Sequence, residues 1–255
     1  MALELTALQG FPIVQRGDNL PQLILDSLRA SQLTLASGDI LVLGQKIVSK
    51  AEGRLFNLAN IVPGPRASEV ARETQKDARL VELILQESNR VLRMRPGVLI
   101  VEHRLGFVCA NAGIDHSNVA GPAKPSEEWV LLLPLNPDLS AARIRAKLES
   151  VAGCRLGVLI NDSHGRPWRL GTVGVCIGLS GLAPLIDERG WKDLFGYRLQ
   201  ATVVAAADEL AAAASLIMGQ AAEGTPAVHV RGFPFPPGEG ALTDLLRPAA
   251  QDLFR

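Results

Sequence analysis

The stretch Gly38–Arg54 reads GDILVLGQKIVSKAEGR and joins an apolar run to a basic segment. Its run Asp39–Gly44 is continuous and rich in branched residues, which predicts a buried strand. Beyond the run, Lys46, Lys50 and Arg54 recur at every fourth position, so they share one face if the segment is helical. Cations at the end of a strand can bind phosphate oxygens. A solvated run of charges is the alternative interpretation.

Helix and strand patterns are mixed on both sides of this stretch, without strict alternation of the two. The mixture predicts an α+β fold with mixed sheets and helices in two intertwined lobes, in one domain over residues 1–255. The glycine-rich chain that continues to Gly181 is assigned no element. The expected helices are Leu20–Leu33, Ala67–Gln75, Asp77–Ser88, Ser140–Ala152, Ala205–Met218 and Leu242–Leu246; the further expected strands are Gly97–Glu102, Phe107–Ala110, Trp129–Leu133, Leu156–Ile160 and Ala227–Val230.

Composition narrows the class of protein. The chain has 255 residues, of which 47% are hydrophobic and 20% charged, so it is long enough for a sizeable core and is not disordered. Its 26 basic and 26 acidic residues cancel, which disfavours a nucleic-acid partner. No apolar run approaches a membrane span, and no signal peptide is visible. Three cysteines in apolar runs, Cys109, Cys154 and Cys176, are expected to be buried reduced thiols, as in the cytoplasm.

Several common catalytic motifs are missing from the sequence. It has no GxxxxGK[ST] phosphate loop, no GxGxxG turn, no HExxH and no GxSxG, and its four histidines lack metal-ligand spacing. No residue is therefore assigned as a covalent nucleophile or as a general base.

Two polar segments follow predicted strands and carry carboxylates. The first, Asn111–Asn118, contains Asp115; the second, Asn161–Arg169, contains Asp162 beside Ser163. Carboxylate and hydroxyl oxygens at strand ends suit Mg²⁺ or Mn²⁺ that also contacts phosphate, and two such segments favour a shared metal site. Hydrogen-bonded turns are the alternative interpretation of both segments.

Smaller expectations concern neighbouring side chains. Arg166 and Arg169 add capacity to bind anions, or else are surface arginines. Trp168 is expected to fill the core rather than to stack on a ligand. The acidic pair Asp208 and Glu209 is expected to face solvent.

Long blocks of the chain resemble the coenzyme F420-0:L-glutamate ligase family. They occur in the family's order and span nearly the whole chain. The blocks are GDILVLGQKIVSKAEGR (Gly38–Arg54), FVCANAGIDHSNV (Phe107–Val119), NDSHGRPWRLGTVGVCIG (Asn161–Gly178), ADELAAAASLIMG (Ala207–Gly219) and PAVHVRG (Pro226–Gly232).

The resemblance implies a GTP-dependent γ-glutamyl ligase of coenzyme F420 biosynthesis. Such an enzyme activates the terminal carboxylate of the deazaflavin F420-0 and joins it to the amine of L-glutamate, and further γ-linked glutamates can follow. The resemblance also implies Mg²⁺ or Mn²⁺, expected as two ions, a possible K⁺, and a homodimer with a fold of its own. Relatives with a second, nitroreductase-like domain exist, and this chain is expected to lack that domain.

Site residues are carried over from the family by position. Gln220 stands where some relatives have Glu, which lowers the charge of the metal site, and His164 occupies a variable place. The implied metal ligands are Asp115, Asp162, Ser163 and Gln220. The implied GTP contacts are Phe11, Pro12, Ile13, Val14, Gln45, Lys50, Asn118 and the segment from Met218 to Gly224, including Gly219 and Ala221.

Two alternatives stay open at this point. A non-catalytic protein that binds F420-like anions would keep the basic residues but would need neither metal nor GTP. A related ligase would use a different acid acceptor. The presence of both Asp115 and Asp162 favours an enzyme over a binding protein.

Overall fold

A computed structural model describes residues 2–119 and 128–253 of the chain. Its mixture of helices with parallel and antiparallel strands confirms the expected α+β class. The strands are β1 (Glu4–Ala7), β2 (Ile40–Gly44), β3 (Leu55–Asn57), β4 (Ser88–Arg95), β5 (Val98–His103), β6 (Val108–Ala110), β7 (Trp129–Leu131), β8 (Gly157–Gly165), β9 (Thr172–Ser180), β10 (Ile186–Asp187), β11 (Val203–Val204) and β12 (Ala227–Arg231). The helices are α1 (Leu20–Ala30), α2 (Gln45–Ala51), α3 (Pro65–Thr74), α4 (Ala78–Gln86), α5 (Pro137–Ala152), α6 (Ala206–Met218) and α7 (Leu242–Leu245).

The central sheet has five strands in the order β1-β12-β2-β8-β9. Strand β2 pairs parallel with β8, and the other three pairings are antiparallel. Leu41 and Leu43 of β2 pack into the cluster that includes α1 and α5, whereas Ile40 and Val42 pack into the cluster that includes α6. Because helices cover both faces of the sheet, all four side chains are buried. This confirms the prediction that the apolar run forms a buried strand.

A second group of elements lies in the sequence between β2 and β8. It contains the three-stranded sheet β4-β5-β6, the pair β3–β7, and helices α3 and α4. Its own cluster includes Val70, Ile84, Leu99 and Val130. Because this group is inserted between two paired strands of the first sheet, the chain passes from one group to the other and back, as expected for intertwined lobes.

Strand β9 and the second half of β8 were not predicted. Gly174 and Gly178 belong to β9, and both mark places where a helix approaches the sheet closely. A Cβ atom on Gly174 would lie 2.5 Å from the backbone oxygen of Ala211 in α6, and one on Gly178 would lie 2.3 Å from Cβ of Pro137 in α5. The glycines that suggested an irregular chain are therefore required by helix packing on both faces of a strand.

Other differences are local. Helix α5 begins at Pro137 rather than Ser140, because Asn136 accepts a hydrogen bond from the Leu139 amide at 3.0 Å and so caps the helix. Strand β4 was also missed, because its polar and charged residues interrupt the apolar pattern that predicts a strand. No helix in the described part of the chain is long and apolar enough to cross a membrane.

Candidate active site

A cavity of about 1360 Å³ lies where the parallel pairing of β2 with β8 ends, at Gly44 and Asn161. Segments from distant parts of the sequence meet there: the loop 11–16, the start of α2, residues 115–119, residues 161–163 and the loop 218–226. The cavity lining includes every residue expected at the nucleotide and metal sites, namely Phe11, Pro12, Ile13, Val14, Gln45, Lys50, Asp115, Asn118, Asp162, Ser163, Met218, Gly219, Gln220, Ala221 and Gly224.

Two lysines of α2 line this cavity. Lys46 Nζ donates to Ser117 Oγ at 2.7 Å, and Lys50 Nζ donates to the backbone oxygen of Asn118 at 2.8 Å. Burial lowers the pKa of Lys50, and the positive charge of Lys46 lowers it further. Two neighbouring cations that destabilise each other in this way would be stabilised by a bound anion such as phosphate.

The third residue of the basic spacing, Arg54, lies elsewhere. It follows α2 and forms an ion pair with Glu87, with Arg54 Nη2 2.8 Å from Glu87 Oε2, and its Nε donates to the backbone oxygen of Leu133 at 2.9 Å. The expectation that three cations share one face was therefore wrong for Arg54, since the helix ends at Ala51 and the chain turns at Gly53, whose φ is 71°.

Asp115 is held at the cavity wall by backbone and side-chain contacts. It exchanges two backbone hydrogen bonds with Leu131, each of 2.9 Å. Its Oδ2 accepts from Gln45 Nε2 at 2.7 Å and lies 3.5 Å from Lys46 Nζ. The pKa of the Asp115 carboxyl is raised to about 6, mainly by burial. The positive charge of Lys46 lowers this pKa, and the negative charge of Asp162 raises it.

Asp162 and Ser163 stand in β8 as it continues past the edge of β2. They pair in register with Val175 and Gly174 of β9, so the alternative of a hydrogen-bonded turn was wrong for these two residues. Ser163 Oγ donates to Gln220 Oε1 at 2.9 Å, which connects β8 to the loop after α6. Asp162 Oδ2 contacts His164 Nε2 at 2.9 Å.

The oxygen atoms of this wall fit a hard divalent cation. Asp115 and Asp162 each use Oδ2 in the contacts above, and within the described residues Oδ1 of neither makes a hydrogen bond. Burial is the main cause of the raised pKa of Asp115, and the nearby charge of Asp162 adds to it. The same part of the chain has no group of three or more acidic, histidine or cysteine side chains that would enclose a metal by itself. A cation here would therefore complete its coordination with water and phosphate oxygens, as Mg²⁺ commonly does.

Trp168 and Asp208 differ from expectation, whereas Arg166 and Arg169 are surface arginines, as the alternative interpretation had it. Trp168 is 87% exposed at the tip of the β8–β9 hairpin and fills no core. Arg166 and Arg169 belong to the same tip and do not line the cavity. Asp208 is half-buried rather than solvated, because its Oδ1 accepts from the Cys176 amide at 2.9 Å across to β9.

The cavity also contains residues that the sequence did not single out. These are Arg16, in the loop before α1, and Trp129, the first residue of β7. Arg16 packs over Gly53, where an added Cβ atom would lie 2.8 Å from Arg16 Nε. The sequence indicated Arg16 only indirectly, because this residue follows closely after the segment from Phe11 to Val14 that was expected to contact GTP.

Comparison with known proteins identifies the family. The model of the family described as F420-0:Gamma-glutamyl ligase matches residues 10–232. This chain belongs to that family. Proteins named coenzyme F420:L-glutamate ligase are similar to it throughout: 47% identical in Methanothermobacter thermautotrophicus, covering all of both chains, and 41% identical in Archaeoglobus fulgidus, covering 100% of this chain and 97% of the relative. The relative of that name in Methanocaldococcus jannaschii is 43% identical over 96% of this chain and 94% of its own.

The F420-0:gamma-glutamyl ligase match covers the entire candidate site. It begins before Phe11 and extends beyond Gly224, so every residue expected at the nucleotide and metal sites lies inside it. The resemblance found in the sequence is thereby confirmed at the level of the family. The role of each site residue stays a prediction.

Proposed function

We propose that this protein is a coenzyme F420:L-glutamate ligase, which joins L-glutamate through an amide bond to the terminal carboxylate of F420-0. One observation carries the proposal: the lysines Lys46 and Lys50 and the carboxylates Asp115 and Asp162 line a single cavity. Family membership gives this arrangement its context, because relatives of that name are similar over the full chain.

Charge in the cavity supports the use of GTP to activate the acid. A carboxylate is a poor electrophile at neutral pH. Transfer of the γ-phosphoryl group of GTP to a carboxylate oxygen releases GDP and forms an acyl phosphate; attack by the glutamate amine on the acyl carbon then releases phosphate and forms the amide. Such a transfer depends on positioning and on neutralising phosphate charge, for which Lys46 and Lys50 are placed.

A divalent cation fits the carboxylates of the same cavity, where Asp115 Oδ2 also lies 3.5 Å from Lys46 Nζ. Asp115 and Asp162 would bind Mg²⁺ or Mn²⁺, with the oxygens of Ser163 and Gln220 available for a second ion. Bound there, the cation would neutralise charge on the transferring phosphate. Within the described residues, Asp115 is held in place by Gln45 and Ser163 by Gln220. A role for K⁺ stays a prediction.

The cysteines support a mechanism without an enzyme thioester. Burial raises the pKa of Cys109 to about 12, and it raises the pKa of Cys176 as well, so both remain thiols at neutral pH. Cys154 is partly exposed, unlike the expected buried thiol, and all three are free. Free thiols fit a reducing compartment, and we place the reaction in the cytoplasm.

Incubation with F420-0, L-glutamate, GTP and MnCl₂ tests the function. Mass spectrometry is expected to show F420-0 extended by glutamate, with GDP formed in equal amount. Turnover only with another acid acceptor would indicate a related ligase. Binding of F420-0 without any GDP formation would indicate a non-catalytic binding protein, and either result would overturn the proposal.

The acyl phosphate gives a separate prediction. With GTP, F420-0 and hydroxylamine but without glutamate, the enzyme is expected to form a hydroxamate of F420-0 together with GDP. The reason is that no described side chain is placed as a covalent nucleophile, so the activated acid remains on the substrate. Intact-protein mass is measured in parallel, and a protein adduct without hydroxamate would contradict this route.

Removal of the Lys50 ammonium is expected to impair the use of GTP. For Lys50→Ala we expect a roughly 10- to 150-fold loss in GTP affinity, because a charged hydrogen bond contributes ~1.5–3 kcal/mol. Calorimetric titration with GTP measures the loss. Lys147→Ala, an exposed lysine on α5, is the control and is expected to bind GTP like the unaltered protein. Equal affinity in both variants would show that Lys50 makes no nucleotide contact.

An arm with an apolar tip supports the expected homodimer. The arm, residues 186–204, begins with β10 and ends with β11, which pair with each other. At its tip, Leu194 is 98% exposed and Phe195 is 95% exposed. The tip is ordered, since Asp193 Oδ1 accepts from the amides of Phe195 and Tyr197 at 2.9 Å each. An ordered, exposed apolar surface of this kind marks a protein interface, and we assign it to a second copy of this chain.

Charge placed on the arm is expected to separate the protomers. Phe195→Asp would bury a carboxylate in the interface, so we expect it to shift the protein from dimer to monomer in sedimentation velocity. Val62→Asp is the matched control, because Val62 is equally apolar and exposed but lies outside the arm. An unaltered protein that is monomeric, or a Phe195→Asp variant that remains dimeric, would contradict the assignment.

A further inference from the structure

His164 stands directly behind the carboxylate of Asp162. Its Nε2 lies 2.9 Å from Asp162 Oδ2. Because an ionised carboxylate only accepts hydrogen bonds, Nε2 is the donor. Both side chains are nearly buried, at 11% exposure each. The contact therefore involves one oxygen of Asp162 and leaves Oδ1 without a hydrogen bond among the described residues.

The imidazole ring of His164 is itself held by a second ring. Phe107 packs against it at a tilt of 50°, with ring centroids 5.1 Å apart. Phe107 in turn stacks on His103 at 5.0 Å, with the two planes only 5° apart. These rings limit the movement of His164 on the side away from the cavity.

The last ring of this series is fixed by hydrogen bonding and charge. His103 is fully buried, and its Nδ1 accepts from the Leu105 amide at 3.0 Å. Its Nε2 lies 3.7 Å from Oε2 of Glu87, the carboxylate that pairs with Arg54 and Arg104. A continuous series of contacts thus runs from a buried ion-pair network, which does not line the cavity, to Asp162.

We propose that His164 is a positioning residue for the ligase reaction: it fixes the rotation of the Asp162 carboxylate so that Oδ1 remains available to a phosphate-bound divalent cation. This inference rests on the proposed function, in which Asp162 binds that cation. Partners of this kind orient metal-binding side chains, and their loss commonly weakens metal binding by ~10- to 100-fold.

Two substitutions separate positioning from packing. His164→Leu keeps an apolar side chain against Phe107 but removes the donor, whereas His164→Gln places an amide donor at about the reach of Nε2. Arg169→Gln is the control, because Arg169 lies on the same hairpin outside the cavity. Asp162→Asn is the reference for loss of the carboxylate. Circular dichroism checks that each variant is folded.

Binding of Mn²⁺ in the presence of GDP, followed by calorimetry, is the main measurement, because phosphate oxygens are expected to complete the coordination of the cation. We expect the dissociation constant to rise ~10- to 100-fold in His164→Leu and less than about threefold in His164→Gln. In the ligation assay, excess Mn²⁺ is expected to restore His164→Leu but not Asp162→Asn. KM for glutamate is expected to be the same in the unaltered protein and in His164→Leu.

Each other outcome overturns a different claim. Unchanged Mn²⁺ affinity in His164→Leu, with affinity lost in Asp162→Asn, would overturn the role of His164 and keep the metal site. Equal loss in His164→Leu and His164→Gln would make His164 a packing residue. An unaltered protein that binds no Mn²⁺ in the presence of GDP would overturn both the metal site and the inference built on it.

Discussion

Asp162→Asn is expected to lower the rate of ligation at least ~1000-fold while the fold is kept. The substitution removes the negative charge but preserves the shape of the side chain, and the amide oxygen still accepts from His164 Nε2. Stabilisation of phosphate charge by a metal ion is worth several kcal/mol, which is the origin of the expected factor. The measurement is the initial rate of amide formation at saturating GTP and Mn²⁺.

Asp26→Asn is the control for this substitution. Asp26 is exposed on α1 and pairs with Arg29, so its replacement is expected to leave the rate unchanged. If the Asp162→Asn variant turned over substrate at the normal rate under saturating Mn²⁺, Asp162 would not be a metal ligand. Asp115 would then be the one carboxylate of the proposed metal site.

Glu87→Gln is expected to destabilise the protein by about 3 kcal/mol at pH 7. Glu87 follows α4 and is buried; Arg54 Nη2 lies 2.8 Å and Arg104 Nε 2.9 Å from its Oε2. Removal of one partner of a buried ion pair leaves the other charge uncompensated, which typically costs ~3–5 kcal/mol. Urea unfolding of the variant and of the unaltered protein gives the difference.

The difference in the free energy of unfolding between Glu87→Gln and the unaltered protein is expected to depend on pH. Burial favours the neutral acid, but interactions with His103, Arg104 and Arg54 outweigh it and lower the pKa of Glu87 from 4.5 to about 2. A carboxylate with a lowered pKa in the folded state stabilises that state above pH 4.5, and the stabilisation is lost as the pH falls toward about 2. The gap between the two proteins should therefore narrow below pH 4.5. Glu209→Gln, at an exposed position on α6, should show no gap at any pH.

Burial on two faces explains which elements were predictable from sequence. Strand β2 was predicted because helices cover both of its faces, so its residues from Ile40 to Leu43 are all apolar. Helices α4 and α6 were predicted because each has one apolar face. Strand β9 was missed because Gly174 and Gly178 allow helices α6 and α5 to pack closely on the strand. Glycines at these positions interrupt the alternation of polar and apolar residues that predicts a strand.

The candidate site was predictable where polar residues follow a buried strand. Asp115 and Asp162 were expected to share a site, and the structure brings both to one cavity. The partner of Arg54 was not predictable, because Glu87 lies far along the chain and only the fold brings them together. The contact between Asp208 and the Cys176 amide was missed for the same reason. His164 is only two residues from Asp162, but the sequence does not show that the two side chains point toward each other.

The parallel pairing of β2 with β8 has a consequence for biosynthesis of the chain. Gly44, the last residue of β2, pairs with Asn161 in the middle of β8, and the whole group of elements containing β4, β5 and β6 is synthesised between them. The cavity also needs the loop 218–226, and β12 must enter between β1 and β2. Contacts this distant in sequence form late and slowly. A chain still emerging from the ribosome therefore has its lysines long before its carboxylates are in place, and the cavity should form only after the loop 218–226 has been synthesised.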